Sequence, residues 1–157
     1  MNPELREMLT REGARFEVIS HREVFTAQER AAVCHIPGRL VAKVVVVHDG
    51  EWHAMAVLPA AASLDIPNLR QTVARPGLEL AREAEFSRLF PGCDIGAMPP
   101  FGRIYGLDVY IDRSLANAGE MVFEGGTHRE EVRMPVSEYL RIERPTVMSL
   151  AVAPRAA

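Results

Sequence analysis

Eighteen basic side chains occur in the sequence, and only one of them, Lys43, is a lysine. It lies in the run Leu-Val-Ala-Lys-Val-Val-Val-Val of residues 40–47, where strand alternation places it on one face with Val41, Val45 and Val47. An amine rooted in an apolar wall either snorkels to water along its own stem or faces a polar cavity. In the second case its charge can hold a carbonyl or a phosphate, and burial makes its protonation adjustable.

A second candidate is Gly96-Ala97-Met98-Pro99-Pro100-Phe101-Gly102. Glycines let the backbone come close to a ligand and prolines hold one loop shape. The amides of Gly96, Ala97, Met98, Phe101 or Gly102 can then grip an anion or a polarised carbonyl, whereas the prolines donate nothing. The same pattern also describes a tight connection between two elements. A third candidate is Gly125-Gly126-Thr127-His128. A histidine after a glycine pair either orients a substrate and moves a proton or follows a turn at the surface.

Other chemistries find less to work with. The histidines at 21, 35, 48, 53 and 128 include no pair at helical i, i+4 spacing, and Cys34-His35 has no ligating neighbours. No metal site and no cofactor are expected. No nucleophile elbow or P-loop occurs. Cys93 sits beside the Gly-Pro loop without a nearby histidine, so a small apolar role is expected for it rather than a nucleophilic one. The two cysteines form no CxxC pair and read as free thiols.

The elements that must position these groups follow from pattern. Residues 2–12 predict a helix with Asn2 as cap, Pro3 in its first turn and Leu5, Met8 and Leu9 as its stripe. Phe16 to Ile19 reads as a strand. Thr26 and Glu29 make a capping box that opens a second helix, closed before Pro37-Gly38. The valine run is a strand covered on both faces. It turns at Asp49-Gly50 into a partner over Trp52 to Leu58. Helices are predicted near residues 66–74 and 81–90, and a loop with defined turns over 92–106. Alternation then predicts a strand over 107–112, with further strands over 120–124 and 127–134. A last helix spans 136–143, and the final ten residues are expected to be loose.

Of the 157 residues, 48% are apolar and 25% charged, which suits one mixed α/β domain over 1–157. Net charge is −3, so extended contact with a phosphate backbone is disfavoured and any nucleic-acid contact is local. Without a basic recognition helix, a DNA-binding regulator is disfavoured too. No apolar run approaches ~18 residues, so no membrane partner is expected. The charged start, MNPELREMLTREG, suits a cytoplasmic protein.

Together, His21 before the Thr26–Glu29 capped helix, the AKVVVV strand, the GAMPPFG loop and the GGTH segment resemble the YbaK/EbsC family of aminoacyl-tRNA editing domains. That family is related to the editing domain inserted in bacterial prolyl-tRNA synthetases. The resemblance spans residues 3–146. It implies a mixed, barrel-like sheet flanked by helices, and metal-free hydrolysis of the ester of mischarged aminoacyl-tRNA. Carried over by position, it makes Lys43, Gly96 and Gly102 catalytic. Ala97, Met98, Pro99, Phe101, Gly126, Thr127 and His128 become substrate-binding. The implied partners are the tRNA acceptor end, with Arg22, Arg103 or Arg129 at its phosphates, and an aminoacyl-tRNA synthetase. The alternative from another class is an inactive tRNA- or synthetase-binding module of the same fold.

Overall fold

Asn2 fastens the first helix, α1 (Pro3–Arg11), its side chain accepting from the amides of Glu4 and Leu5. The computed structural model describes residues 1–152. Strand β1 (Glu17–Ser20) and helix α2 (Ala27–Cys34) follow. Thr26 accepts from the Glu29 amide at 3.1 Å, and its hydroxyl donates to Glu29 Oε1 at 3.0 Å. The valine run forms β2 (Ala42–Asp49), joined through Gly50 to β3 (Trp52–Pro59). Gly50 adopts φ +62°, the left-handed backbone an Asp-Gly hairpin turn requires. In this register Lys43 lies opposite Leu58, and His48 opposite His53.

Helix α3 (Ile66–Thr72), the short strand β4 (Glu79–Leu80) and α4 (Glu83–Leu89) come next. The segment expected to be all loop contains one 3₁₀ turn, Gly102–Ile104. Beyond it lie β5 (Asp108–Asp112), α5 (Arg113–Ala116), β6 (Glu120–Glu124), β7 (Glu130–Pro135) and α6 (Val136–Glu143). A final strand, β8 (Thr146–Met148), follows.

The fold is mixed α/β, with five strands in the order β4-β2-β3-β5-β8 and three in the order β1-β7-β6. The expected mixed, barrel-like arrangement is present but not closed: its strands fall into two sheets that touch at one parallel bridge, Val41 to Val122. The reason lies on β2. β3 takes one of its edges entirely, and β4 takes the far end of the other, pairing with Val47 and His48. Only the start of β2 is left for β6.

One face of the five-stranded sheet packs Ala42, Val46, Met55 and Val57 against α1, α6, β6 and β7 in the larger core. The other face packs Val47, Ala54 and Ala56 against Leu69, Leu78 and Leu150. The tail is corrected. Thr146–Met148 pairs with β5 in parallel, Leu150 is fully buried, and Asp112 Oδ1 accepts from the amides of Leu150 and Ala151. Met148 and Leu150 supply the apolar burial that holds this segment, while residues 153–157 lie outside the described residues. No described helix is long and apolar enough to cross a membrane.

Candidate active site

Lys43 follows directly on the junction of the two sheets. Because Val41 bridges Val122 in parallel, Lys43 and Glu124 each stand two residues further along on the same side. The lysine is half-buried, and that burial pushes its amine below the ordinary value. Among the described residues no carboxylate forms an ion pair with it, although Glu124 is already engaged nearby.

That engagement is a buried network. Arg30, on α2, donates from Nε to Glu131 Oε1 at 2.7 Å and from Nη2 to the Ala42 carbonyl at 3.0 Å. Its Nη1 lies 3.4 Å from Glu124 Oε1. Arg30 and Glu131 are almost fully buried, and His21 Nε2 lies 3.3 Å from Glu131 Oε2. Burial, with the Glu131 charge adding to it, holds the Glu124 carboxyl above its ordinary range against the pull of Arg30 and His128. Thus α2, β2, β6 and β7 are locked together immediately beside the lysine.

His128 links this network to the Gly-Pro loop. Its Nδ1 lies 3.0 Å from Glu124 Oε2, its Nε2 lies 2.9 Å from the Ile95 carbonyl, and its amide donates to Asp94 Oδ2. Both ring nitrogens therefore face acceptors. The Gly126 carbonyl accepts from the Asp94 amide at 2.8 Å, and Thr127 Oγ1 accepts from the Arg129 amide. Gly126 has φ +114° and packs against Asn2, where an added Cβ would lie 3.0 Å from the Asn2 Cβ. The structure thus brings the GGTH segment to the first half of the loop. It records no hydrogen bond from Lys43 to either among the described residues.

Within the loop the candidates divide. Gly96 has φ +84° and nothing within 4 Å of an added Cβ. Ala97, Met98, Pro99 and Phe101 are buried. The Ala97 amide donates to Asp94, and the Phe101 ring packs edge-on against Phe123 and Tyr139. Gly102 presses on the Leu107 carbonyl, 2.2 Å from where a Cβ would be. The Arg103 amide donates to the Glu143 carboxylate at 3.1 Å, and the Gly102 amide lies on the same side and helps to pull that carboxyl's pKa down. The amides of Gly96, Met98 and Phe101 have no acceptor among the described residues and remain available. A cavity of about 100 Å³ opens beside Gly96 and Met98, walled by Phe86, Phe90 and Cys93. Burial pushes the Cys93 thiol above its ordinary value.

The model of one protein family, described as the aminoacyl-tRNA editing domain, matches residues 21–142. The chain belongs to that family. Its matched span begins at His21 and includes Lys43, the Gly-Pro loop, GGTH and the Arg30 network. Among solved structures the fold is similar to a candidate trans-editing enzyme for prolyl-tRNA synthetase, with 24% identity, 98% and 99% of the two chains covered and a TM-score of 0.85. It is also similar to a scaffold used for computational epitope grafting, with 23% identity, 97% of each chain covered and a TM-score of 0.86. Comparison with curated proteins finds no match.

Three features of this editing domain were not apparent in the sequence. Arg30 and Glu131 lie 101 positions apart, and no local pattern links them. Phe25, 65% exposed, sits 4.9 Å from the His128 ring; its one signal was an aromatic residue just before the Thr26 cap. The arginines also separate. Arg22 and Arg129 are exposed beside Glu29 and Glu23, whereas Arg103, also exposed, is held by the Ile142 carbonyl, to which it donates at 2.5 Å.

Proposed function

We propose that this editing domain is a deacylase acting in trans, which hydrolyses the ester of mischarged aminoacyl-tRNA with a positioned water. Water adds to the ester carbonyl carbon, and the resulting oxyanion accepts from free loop amides, those of Gly96 and Met98 first. The carbon–oxygen bond to the terminal ribose then breaks. That ribose oxygen takes up a proton, leaving free amino acid and uncharged tRNA. Lys43 holds the carbonyl or the terminal adenosine phosphate, and a neighbouring ribose hydroxyl orients the water. Gly102 and His128 keep the loop in shape, His128 through the Ile95 carbonyl, with Gly126 and Thr127 as its support.

The observation that carries this reading is Lys43, a half-buried ammonium with no ion pair among the described residues, next in the chain to Ala42, whose carbonyl accepts from Arg30. An unpaired cation in that position favours an anionic or carbonyl ligand. The raised Cys93 thiol favours water over a covalent route, since a neutral thiol is a poor nucleophile. Phe25 presents a π face on which the terminal adenine can stack, and Arg22 and Arg129 are exposed for phosphate contact. A synthetase partner would deliver the charged acceptor end.

The deciding experiment is a deacylation panel. It starts with alanine and cysteine on proline tRNA, because the cavity beside Gly96 suits small side chains, and continues with serine and threonine on their non-cognate tRNAs. We expect turnover on at least one, and a loss of about 10²-fold or more in Lys43→Ala with an unchanged melting temperature. Near-normal turnover in folded Lys43→Ala rejects the lysine's role. Binding of the panel without hydrolysis favours the non-catalytic module.

A further inference from the structure

The far end of the β2–β3 hairpin holds a cluster that the editing chemistry does not use. His48 and His53 face each other across the two strands, their rings stacked at 5.7 Å and 20°. Glu85, in the first turn of α4, reaches over both. Its Oε2 lies 2.6 Å from His53 Nε2 and 3.8 Å from His48 Nδ1. One ligating atom from each of the three residues falls within 4.8 Å of the others. We propose that His48, His53 and Glu85 form a Zn²⁺ site that pins the β2–β3 hairpin to α4.

Three details go beyond proximity. Each group has its second polar atom held from behind, the arrangement that orients metal ligands. His53 Nδ1 lies 2.9 Å from the Glu51 carbonyl, which fixes Nε2 as the ligating nitrogen. His48 Nε2 lies 3.3 Å from Glu79 Oε1, and Nδ1, 3.4 Å from the Gly50 carbonyl and 3.8 Å from Glu85 Oε2, is the nitrogen on the side of the centre. Glu85 Oε1 accepts from the Arg82 amide at 3.1 Å, the capping contact of α4, so Oε2 has a fixed direction.

Spacing is the second detail. Ligands bound at 2.0–2.1 Å with tetrahedral angles stand roughly 3.3 Å apart. The two distances to Glu85, 2.6 and 3.8 Å, bracket that value, and all three ligand atoms lie within 4.8 Å of one another, so side-chain shifts alone can close the site. The third is the open side. A cavity of about 640 Å³ adjoins all three residues and has Arg82 and Arg88 in its wall. The remaining coordination position thus has room for water or an anion. Two imidazoles and one carboxylate suit a borderline ion such as Zn²⁺ better than Ca²⁺ or Mg²⁺, which favour all-oxygen sites.

This centre is separate from the editing site. His48 is five residues along β2 from Lys43, about 17 Å at strand rise, and points to the opposite face of the sheet. An ion there braces the hairpin without reaching the ester.

The test uses the full chain without an affinity tag. Zn²⁺ titration should show one saturable equivalent and a rise in melting temperature. In the unsubstituted chain, Zn²⁺ should shift the imidazole NMR resonances of His48 and His53 and leave those of His21, His35 and His128 in place. Co²⁺ should give visible absorption bands that Zn²⁺ displaces. His53→Gln and Glu85→Gln should each weaken binding by more than about 100-fold, Glu79→Gln by about 10-fold. The Cys34→Ser, Cys93→Ser double variant should retain it. Absence of one-to-one binding at micromolar Zn²⁺ overturns the proposal. Unmoved His48 and His53 resonances on binding overturn it as well, and that measurement needs no variant to fold.

Discussion

Between Asp94 and Met98 the Gly-Pro loop is fastened at its edge, through Asp94 and Ile95, and leaves Gly96 bare, with amides on either side of Ala97 that have no acceptor among the described residues. Between Pro99 and Arg103 most groups have a partner, the Phe101 amide excepted. The Pro100 carbonyl accepts from the Tyr139 hydroxyl at 2.7 Å, Phe101 fills the core, Gly102 touches Leu107, and Glu143 accepts from the Arg103 amide. Backbone can serve a ligand only where the fold has not already used its donors. The first half is thus available for chemistry and the second is the anchor that keeps it in register. Two glycines six residues apart carry different loads.

The sharpest way to break this contrast is Gly102→Val. Its Cβ would lie 2.2 Å from a backbone oxygen and 2.5 Å from Val109 Cγ2, contacts that only a backbone shift can relieve. We expect a loss above about 4 kcal/mol, enough to abolish cooperative melting in calorimetry. A folded Gly102→Val protein with an ordinary melting curve would erase the distinction between the halves.

Gly96→Val should do the reverse. No atom obstructs its Cβ, but a β-branched residue at φ +84° is strained and the branch occupies the ligand's side of the loop. Stability should fall by only about 1–2 kcal/mol, while deacylation falls about 10²-fold or more. Measuring the melting temperature and the single-turnover rate on the same sample separates the two effects.

Much of this was legible in the sequence because local rules agree there. The Asp49-Gly50 turn, the Thr26–Glu29 cap and the Leu5–Met8–Leu9 stripe each follow from a few neighbouring residues. Contacts set by register or long separation were not legible. His48 and His53 escape a search at helical spacing because a hairpin pairs them five positions apart. Arg30 finds Glu131 only once α2 lies over β7. Strand β8 was missed because a chain end usually frays, yet this one has Met148 and Leu150 to bury and Asp112 to hold its amides. Phe101 and Met98 illustrate a third cause: apolar residues in a glycine-proline loop serve a core or a ligand equally well on paper.

Glu143 tests the anchored half through pH. Burial holds its carboxyl up at about 7, against an ordinary 4.5, although two amides pull it down, and its Oε2 has no hydrogen-bond partner among the described residues. Between those two values the folded chain binds more protons here than the unfolded chain does. This group's contribution to stability is therefore greatest below pH 4.5, declines as pH rises to about 7 and stays low above it. Glu143→Gln removes the slope and should raise stability at pH 8 by roughly 1–3 kcal/mol. If this half only anchors, the single-turnover rate at pH 8 should hardly change. A large change would give Glu143 a part in the chemistry.

The smallest effect is expected at the root of the open half. Cys93 precedes Asp94, and its sulfur lies 3.4 Å from the Tyr105 hydroxyl and 3.7 Å from Asn2 Nδ2. Its position beside Gly96 is where a covalent mechanism would put a nucleophile. Yet no histidine is among these contacts, and burial outweighs both in pushing the thiol up. A neutral thiol without a base attacks an ester slowly, whereas a positioned water loses nothing when sulfur becomes oxygen. Serine keeps the two polar contacts and removes little volume, so Cys93→Ser should melt within about 1 kcal/mol of the parent and retain most of its deacylation rate. Set beside Gly96→Val, the result assigns the chemistry to backbone or to side chain. An inactive, folded Cys93→Ser together with an active Gly96→Val would transfer catalysis from the loop amides to the thiol.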